Sequence, residues 1–238
     1  MERKPTIGLV VAIELDAVLA RYGAPTETET VAGYTVRRYE TDDFTLYVVD
    51  SGAGEIAAAG ATQLLIARCG AQMIVNFGVV GALTEEMAAA DLCVIERVIH
   101  YDFETTGWLN LQRGQYPGQE GPYISTTPAL VAAARKIAPA LRAVKCASAD
   151  KYVDTAEQKR ALRSLCGADI CEMESAGILL TAQRAGVPCL LIKAVADSLT
   201  GGGKEFFTEL SRASAACFEV VDQIIRTLPA DLLVRSAE

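Results

Sequence analysis

Short apolar runs alternate with longer amphipathic patterns along most of the chain, and this alternation constrains the fold more than any other feature. The runs Thr6–Ala12 and Val187–Val195 are almost wholly apolar, which is typical of central strands covered on both faces. The stretches Glu55–Arg68 and Phe206–Leu228 have apolar residues at helical spacing. Strands that alternate with helices predict an α/β protein with a largely parallel sheet.

The same patterns predict the remaining elements. Further strands are expected at Tyr34–Tyr39, Thr45–Ser51, Met73–Phe77, Leu92–His100, Ala143–Ser148 and Asp169–Met173, the last continuing into a helix through Arg184. Further helices are expected at Glu14–Tyr22, Thr127–Ile137 and Ala156–Leu165. The section Tyr101–Tyr123 is rich in glycine and proline and predicts a long loop. No linker-like segment interrupts the pattern, so the 238 residues are predicted to form one domain.

The charge balance argues against a nucleic-acid-binding protein. Lys and Arg number 22 against 30 Asp and Glu, so the net charge is −8, and an acidic chain repels phosphate backbones. The densest basic stretch, Lys159–Arg163, is interpreted as a solvated helix face. No stretch approaches the roughly 20 apolar residues of a membrane span, and the apolar run near the N-terminus is too short for a signal peptide. We therefore expect a cytoplasmic protein that binds neither nucleic acid nor membrane.

Cysteine and histidine usage bears on metal binding. The seven cysteines include no CxxC pair, and His100 is the only histidine. Structural zinc needs clustered ligands of these types, so no metal site is predicted. Cysteines in apolar surroundings are typical of buried thiols in a reducing compartment.

Small or polar groups follow several predicted strands, where α/β folds bind ligands. They are Glu14–Asp16, Ser51–Gly54, Asn76–Gly81, Glu172–Glu174 and Asp197–Ser198. Gly52, Gly54 and Ala57 fit a dinucleotide-binding fingerprint, but no acidic residue ends the next strand as that motif requires. A tight turn that lets the backbone approach a small ligand is favoured.

Two acidic positions predict chemistry. Glu172 and Glu174 flank Met173 where a strand passes into a helix, so one can face a ligand while the other is held at the helix start. An ordinary helix N-terminus carrying acidic residues fits this spacing equally well. Asp197 ends an apolar strand, where desolvation would raise its pKa and suit it to general acid catalysis. The alternative for Asp197 is a turn or helix-capping role.

These segments occur together in an order that carries a resemblance. Ile7–Gly8 with Glu14, Ser51–Gly54, Asn76–Leu83, Cys171–Ala176 and Lys193–Asp197 resemble the nucleoside phosphorylase and nucleosidase superfamily. Within it the chain is most similar to the 5′-methylthioadenosine/S-adenosylhomocysteine nucleosidases. The resemblance implies a single-domain, three-layer α/β/α fold over residues 1–238 with a mixed, mostly parallel central sheet. It also implies hydrolysis of a purine nucleoside without a cofactor, and a place in methionine salvage.

The resemblance implies roles for individual residues. Asp197 matches the acid that protonates N7 of the purine, and Glu174 the carboxylate that holds the ribose hydroxyls and stabilises the cationic sugar. Other positions match the substrate-binding residues: Met173 beneath the ribose, Tyr152 stacked on the base and Val153 reading its edge. Apart from the resemblance, Glu172 is a binding candidate from its spacing to Glu174, and of Phe206 and Phe207 at the start of the last helix one is expected in the core and the other, taken as Phe207, in the pocket wall. Trp108 and Pro117 match positions that reach into the pocket of a partner subunit, which implies a homodimer.

The chain departs from the family pattern at the site of the attacking water. Asp16 stands where the family has a water-orienting glutamate, with Glu14 as its alternative; Lys193 replaces an arginine, and Ala196 a serine. Val79 replaces a hydroxyl residue of the kind that phosphorylases use to hold phosphate, so hydrolysis is favoured over phosphorolysis. Futalosine, adenosine, a phosphorolytic reaction and a non-catalytic nucleoside-binding protein remain alternatives.

Overall fold

The computed structural model describes residues 4–229 and 232. Ten strands are present in this part of the chain: β1 Thr6–Val11, β2 Glu27–Val31, β3 Tyr34–Glu40, β4 Thr45–Asp50, β5 Met73–Ala82, β6 Leu92–His100, β7 Tyr123–Ser125, β8 Arg142–Ser148, β9 Ile170–Glu172 and β10 Cys189–Asp197. Seven helices accompany them: α1 Leu15–Tyr22, α2 Glu55–Ala67, α3 Thr106–Leu109, α4 Pro128–Ile137, α5 Ala156–Cys166, α6 Ser175–Arg184 and α7 Gly203–Thr227.

All ten strands join one mixed sheet. Its order is β10-β6-β8-β9-β5-β1-β4-β3-β2, with β7 added to β6. Strand β10 also pairs with β5, so β5, β10, β6, β8 and β9 close into a ring. Parallel pairing joins β5 to β1 and β10, whereas β9 runs antiparallel to β5. The predicted mixed sheet is confirmed, and parallel and antiparallel pairings are equally represented among the described strands.

Helices cover both faces of this sheet and enclose two large cores. Helices α1, α4 and α7 pack on one face, where Phe77 contacts Phe218 with ring centroids 4.7 Å apart. Helices α2 and α6 pack together on the other face. Strands β5 and β10 are buried along their whole lengths, as central strands with two covered faces should be. The predicted three-layer arrangement is confirmed.

The differences from the predicted elements have local causes. Strand β5 continues beyond Phe77 to Ala82, because Gly78 and Gly81 are accommodated inside the strand. Strand β2 was missed because its alternating charged and polar residues belong to a sheet edge that needs little apolar surface. Helix α3 lies in the section predicted to be loop and strand β7 begins at its last residue, Tyr123; they are only four and three residues long. Among the described residues, no helix has the length and apolar character needed to span a membrane.

Candidate active site

A cavity of about 230 Å³ opens beside the ends of β5, β9 and β10. It is lined by side chains and backbone from several strand ends and from the start of α7: Ala12, Ile13, Glu14, Ala53, Val79, Val80, Gly81, Lys151, Tyr152, Val153, Cys171, Glu172, Met173, Glu174, Asp197, Phe206 and Phe207. Four of these residues are acidic and only Lys151 is basic, so the cavity is suited to a ligand that develops positive charge.

Glu14 is buried at one end of the cavity, immediately before α1. Its Oε1 accepts a hydrogen bond from the backbone N–H of Val79 at 2.9 Å, and its Oε2 accepts one from Ile13 at 3.0 Å. A Cβ at Gly78 would lie 2.7 Å from Oε1, which is too close for any side chain. Glycine at this point of β5 therefore makes room for the carboxylate.

Asp197 occupies the opposite end of the same strand segment. A Cβ at Gly81 would lie 3.2 Å from Asp197 Oδ1, so a second glycine accommodates a second carboxyl group. Gly78 and Gly81 are three residues apart, and three residues of strand span about 10 Å. Both carboxyl groups contribute to the lining of the same cavity, one beside each end of this segment.

The turn after β4 supports a third carboxylate. Gly52 and Gly54 both have positive φ, +77° and +108°, a conformation that glycine adopts at little cost. This conformation turns the Gly54 N–H to donate to Glu174 Oε1 at 2.9 Å. The predicted tight turn is confirmed, and it positions a carboxylate at the cavity as well as placing Ala53 in the wall.

Glu172 is the glutamate held at the start of α6. Its carboxylate accepts hydrogen bonds from the backbone N–H and the hydroxyl of Ser175 at 2.9 and 2.8 Å. Lys193 on β10 approaches the same oxygen at 3.1 Å, and both side chains are almost completely buried. Burial alone would raise the pKa of Glu172, but Lys193 and the hydroxyl donors hold it below its ordinary value. Glu172 is therefore a fixed anion.

Glu174 and Asp197 differ from Glu172 in their proton affinity. Burial, reinforced by the charge of Glu172, raises the pKa of Glu174 to about 7. Burial also raises the pKa of Asp197, although a hydrogen bond and the charge of Lys159 oppose this effect. Elevated carboxyl pKa values near a cavity are typical of groups that gain or lose protons in catalysis.

Aromatic and apolar side chains form the rest of the wall. Tyr152 packs edge-on against Phe206 with ring centroids 6.1 Å apart, and Phe206 packs in the same way against Phe207. Val153 is buried, whereas Phe207 is 73% exposed and stands at the cavity mouth. These residues and Met173 present the flat apolar surfaces that a base and a sugar ring require.

Four residues predicted for the site do not line the cavity. Asp16 is exposed on the first turn of α1, because the helix begins directly after Glu14 and turns the next residues outwards. Lys193 lies behind the wall, paired with Glu172. Trp108 is 82% exposed and Pro117 is also exposed. The carboxylate that the structure places beside Val79 is Glu14.

Two charged residues near the cavity escaped prediction. Lys159 lies in the basic stretch interpreted as a solvated face, yet its side chain is 0% exposed and pairs with Asp197. Glu55 begins α2, and Ser148 and the N–H of Gly177 donate to its buried carboxyl group. The sequence offers a weak signal for Lys159, since Leu162 on the same helical face is apolar. It offers none for Glu55.

Comparisons with known proteins find relatives over nearly the whole chain. A family model described as the phosphorylase superfamily matches residues 6–226. The 5′-methylthioadenosine/S-adenosylhomocysteine nucleosidase of Staphylococcus saprophyticus is 27% identical over 93% of this chain and all of that protein. The aminodeoxyfutalosine nucleosidase of Helicobacter pylori is 28% identical over 92% of this chain and 99% of that protein.

Solved structures show the same architecture. The 5′-methylthioadenosine/S-adenosylhomocysteine nucleosidase of Helicobacter pylori, crystallised in complex with a substituted pyrrolidin-3-ol, superposes with a TM-score of 0.89 at 25% identity, covering 94% of this chain and 99% of that one. A futalosine hydrolase from the same species superposes at 0.88 with 23% identity, over 94% and 98% of the two chains, and shows the shared fold. The chain belongs to the phosphorylase superfamily.

Proposed function

We propose that this protein hydrolyses the N-glycosidic bond of a purine nucleoside, with 5′-methylthioadenosine or S-adenosylhomocysteine as the main substrate and adenine as a product. The observation that carries the proposal is the placement of Glu14 and Asp197 at opposite ends of the Gly78–Gly81 segment, with Glu174 in the wall of the same cavity. That arrangement supplies one carboxyl group for the base, one for water and one for the sugar.

The reaction assigns a distinct task to each carboxyl group. Asp197 gives its proton to N7 of the purine while the bond between the sugar C1′ and the base breaks, and the bonding electron pair leaves with the base. Positive charge then builds on the sugar, where ionised Glu174 stabilises it. Water adds to C1′ and gives its proton to Glu14, which replaces Asp16 in this role because it lies beside the cavity.

The lining of the cavity favours water over phosphate as the acceptor. Val79 contributes no hydroxyl, and its N–H already donates to Glu14. Phosphate would lie among carboxylates with Lys151 as the sole basic residue of the wall. An anion with so little compensation binds poorly, so we infer hydrolysis.

The choice of substrate rests on the relatives. The Staphylococcus protein is named for methylthioadenosine and S-adenosylhomocysteine, and the Helicobacter protein for aminodeoxyfutalosine. The identities of 27% and 28% are too similar to separate these two substrates. A place in methionine salvage follows only if methylthioadenosine is preferred.

A homodimer is part of the proposal. Trp108 and Pro117 lie exposed on the segment between β6 and β7, and Ile56 on α2 is 84% exposed. A large exposed aromatic residue is typical of a protein-protein contact. Light scattering of the purified protein should give twice the chain mass of 25.3 kDa; a stable monomer with full activity would contradict the dimer.

The cytoplasm is the compartment we propose. The seven cysteines are all free, and five of them are buried. Burial raises the pKa of the Cys171 thiol to about 12, so this thiol stays protonated and unreactive. Fractionation of the native cells, followed by immunodetection, tests the assignment.

A product assay tests the proposed reaction. Purified protein is incubated with methylthioadenosine, S-adenosylhomocysteine, adenosine, inosine and aminodeoxyfutalosine, each with and without phosphate, and free base is followed by chromatography. We expect base release that does not depend on phosphate, fastest with one of the first two compounds. Release only with phosphate would overturn the assignment of water, and binding of adenine without any turnover would indicate a non-catalytic nucleoside-binding protein.

A further inference from the structure

A buried lysine contacts the acid proposed to protonate the base. Lys159 belongs to α5, and its side chain is completely enclosed. Its ammonium group donates to Asp197 Oδ2, to the carbonyl of Ser198 at 2.5 Å and to that of Gly201 at 3.2 Å. An ammonium group has three N–H donors, so each N–H of the Lys159 ammonium group has an acceptor.

This contact fixes the direction in which the acid can act. Lys159 donates to Oδ2 of Asp197, which lines the cavity, and a Cβ at Gly81 would lie 3.2 Å from Oδ1 and 3.5 Å from Oδ2. Within residues 4–229 no other hydrogen bond is made to this carboxyl group. Oδ1 is therefore the oxygen available to a nitrogen of the substrate.

The other charged and titratable groups around Asp197 do not duplicate this role. Glu205 on α7 and Asp154 before α5 both raise the pKa of Asp197. Tyr152 and Cys171 face the same carboxyl group, and the pKa of each is raised, chiefly by burial and also by Asp197. Among the residues that the structure describes, Lys159 is thus the cation that opposes the effect of burial on the pKa of Asp197.

We propose that Lys159 is a positioning residue that aims Oδ1 of Asp197 at the departing base and stabilises the Asp197 carboxylate as it forms. The inference rests on the proposed function of Asp197. As the proton passes from Oδ1 to the base nitrogen, negative charge develops on a carboxyl group that already has an ammonium group against its other oxygen. Electrostatic stabilisation of this kind requires no reorganisation at the moment of reaction.

Lys159 also ties the acid to the loop that leads into α7. The carbonyls of Ser198 and Gly201 bind the same ammonium group, and Glu205 accepts from the N–H and the hydroxyl of Ser198, both at 2.9 Å. The N–H of Gly203 donates to Asp154 at 2.7 Å. Helix α7 carries Phe206 and Phe207, which line the cavity. Lys159 therefore fixes the position of Asp197 relative to these two aromatic side chains.

The test compares Lys159→Met with wild type and with Arg160→Met, an exposed neighbour on the same helix. The general acid must be protonated to act, so activity falls as the pH rises through the pKa of Asp197. An opposite charge within a few ångströms lowers a carboxyl pKa by about 1–3 units. Lys159→Met should therefore shift the alkaline limb of kcat to higher pH by at least about one unit and reduce kcat by about 10- to 100-fold at neutral pH. Arg160→Met should change neither.

A substrate with an activated leaving group separates this role from simple structural support. Release of p-nitrophenol from its riboside needs little protonation, so Lys159→Met should lose much less activity on it than on the purine nucleoside. Lys159→Arg, which keeps the charge, should retain the wild-type alkaline limb, and it provides the comparison if the methionine variant does not fold. An unchanged alkaline limb in a folded Lys159→Met enzyme would overturn the inference. A wild-type protein that releases no base would instead refute the proposed function.

Discussion

Glu55 gives the sharpest prediction about stability. Its carboxyl group is buried at the start of α2, and burial together with the charge of Glu172 raises its pKa from 4.5 to about 8. Between these two pH values the folded protein holds a proton on Glu55 that the unfolded chain has lost. The unfolded state then binds fewer protons, so the free energy of unfolding decreases as the pH rises from 4.5 to 8. This contribution to instability is complete above pH 8 and absent below pH 4.5.

Glu55→Gln removes this proton equilibrium while preserving the shape. The amide oxygen can accept from Gly177 as the carboxylate does, and the amide nitrogen can donate to Ser148 Oγ. Each pH unit corresponds to about 1.4 kcal/mol, so the 2.5 units between pH 4.5 and pH 7 correspond to about 3.5 kcal/mol. We expect Glu55→Gln to stabilise the protein by about this amount at pH 7. For a chain of this length that is about 7–14 °C in Tm.

The assay is urea unfolding of both proteins at pH 4.5, 6, 7 and 8, followed by circular dichroism. The difference in unfolding free energy should be near zero at pH 4.5 and should grow with pH. Glu85→Gln, at an exposed carboxylate, is the matched control and should show no such growth. A Glu55→Gln protein that is less stable than wild type at pH 8 would refute the reasoning, because Glu55 would then be a stabilising anion.

The remaining predictions concern the site. Gly78→Ala places a Cβ against Glu14 and should lower kcat by about 100-fold. Gly121→Ala, with open space around it, should leave kcat unchanged. Equal losses of kcat in the two variants would show that the contact with Glu14 is not the cause. Glu14→Gln should lower kcat by about 100-fold or more and Asp16→Asn by less than about twofold. The reverse order of effects would show that Asp16, not Glu14, accepts the proton of the attacking water. Because Glu174 must be ionised and burial raises its pKa to about 7, kcat/KM measured from pH 5 to 8 should fall about tenfold per unit below pH 7. If kcat/KM of Glu174→Gln still falls below pH 7, the titrating group is a residue other than Glu174.

The periodicity of the chain was sufficient to predict an α/β protein, whereas the three-layer fold with a mixed sheet followed from the resemblance to the superfamily. Strand β6 has the predicted bounds, and α2 and β1 agree within one residue, because buried strands and amphipathic helices carry their pattern locally. The acidic positions of the site were also predictable, since polar residues that end buried strands share one edge of a sheet. These are properties of short segments.

Residues whose environment depends on distant parts of the chain were less predictable. Lys159 occurs among basic residues and was interpreted as solvated, but the first turns of α5 pack against the end of β10, 38 residues later. Asp16 was assigned from its position in a motif, whereas the start of α1 decides that it faces solvent. Local sequence cannot report such contacts.

The pairing of β5 with β10 has a consequence for synthesis of the protein. Gly81 and Asp197 are register partners separated by more than a hundred residues. A nascent chain that has reached α6 therefore exposes one edge of β5 and lacks the acid altogether. The proposed site can form only after β10 has left the ribosome, and closure of so long a loop is a slow event in folding. Enzyme activity during translation would thus report that β10 has been made and has paired with β5, rather than folding of the N-terminal part alone.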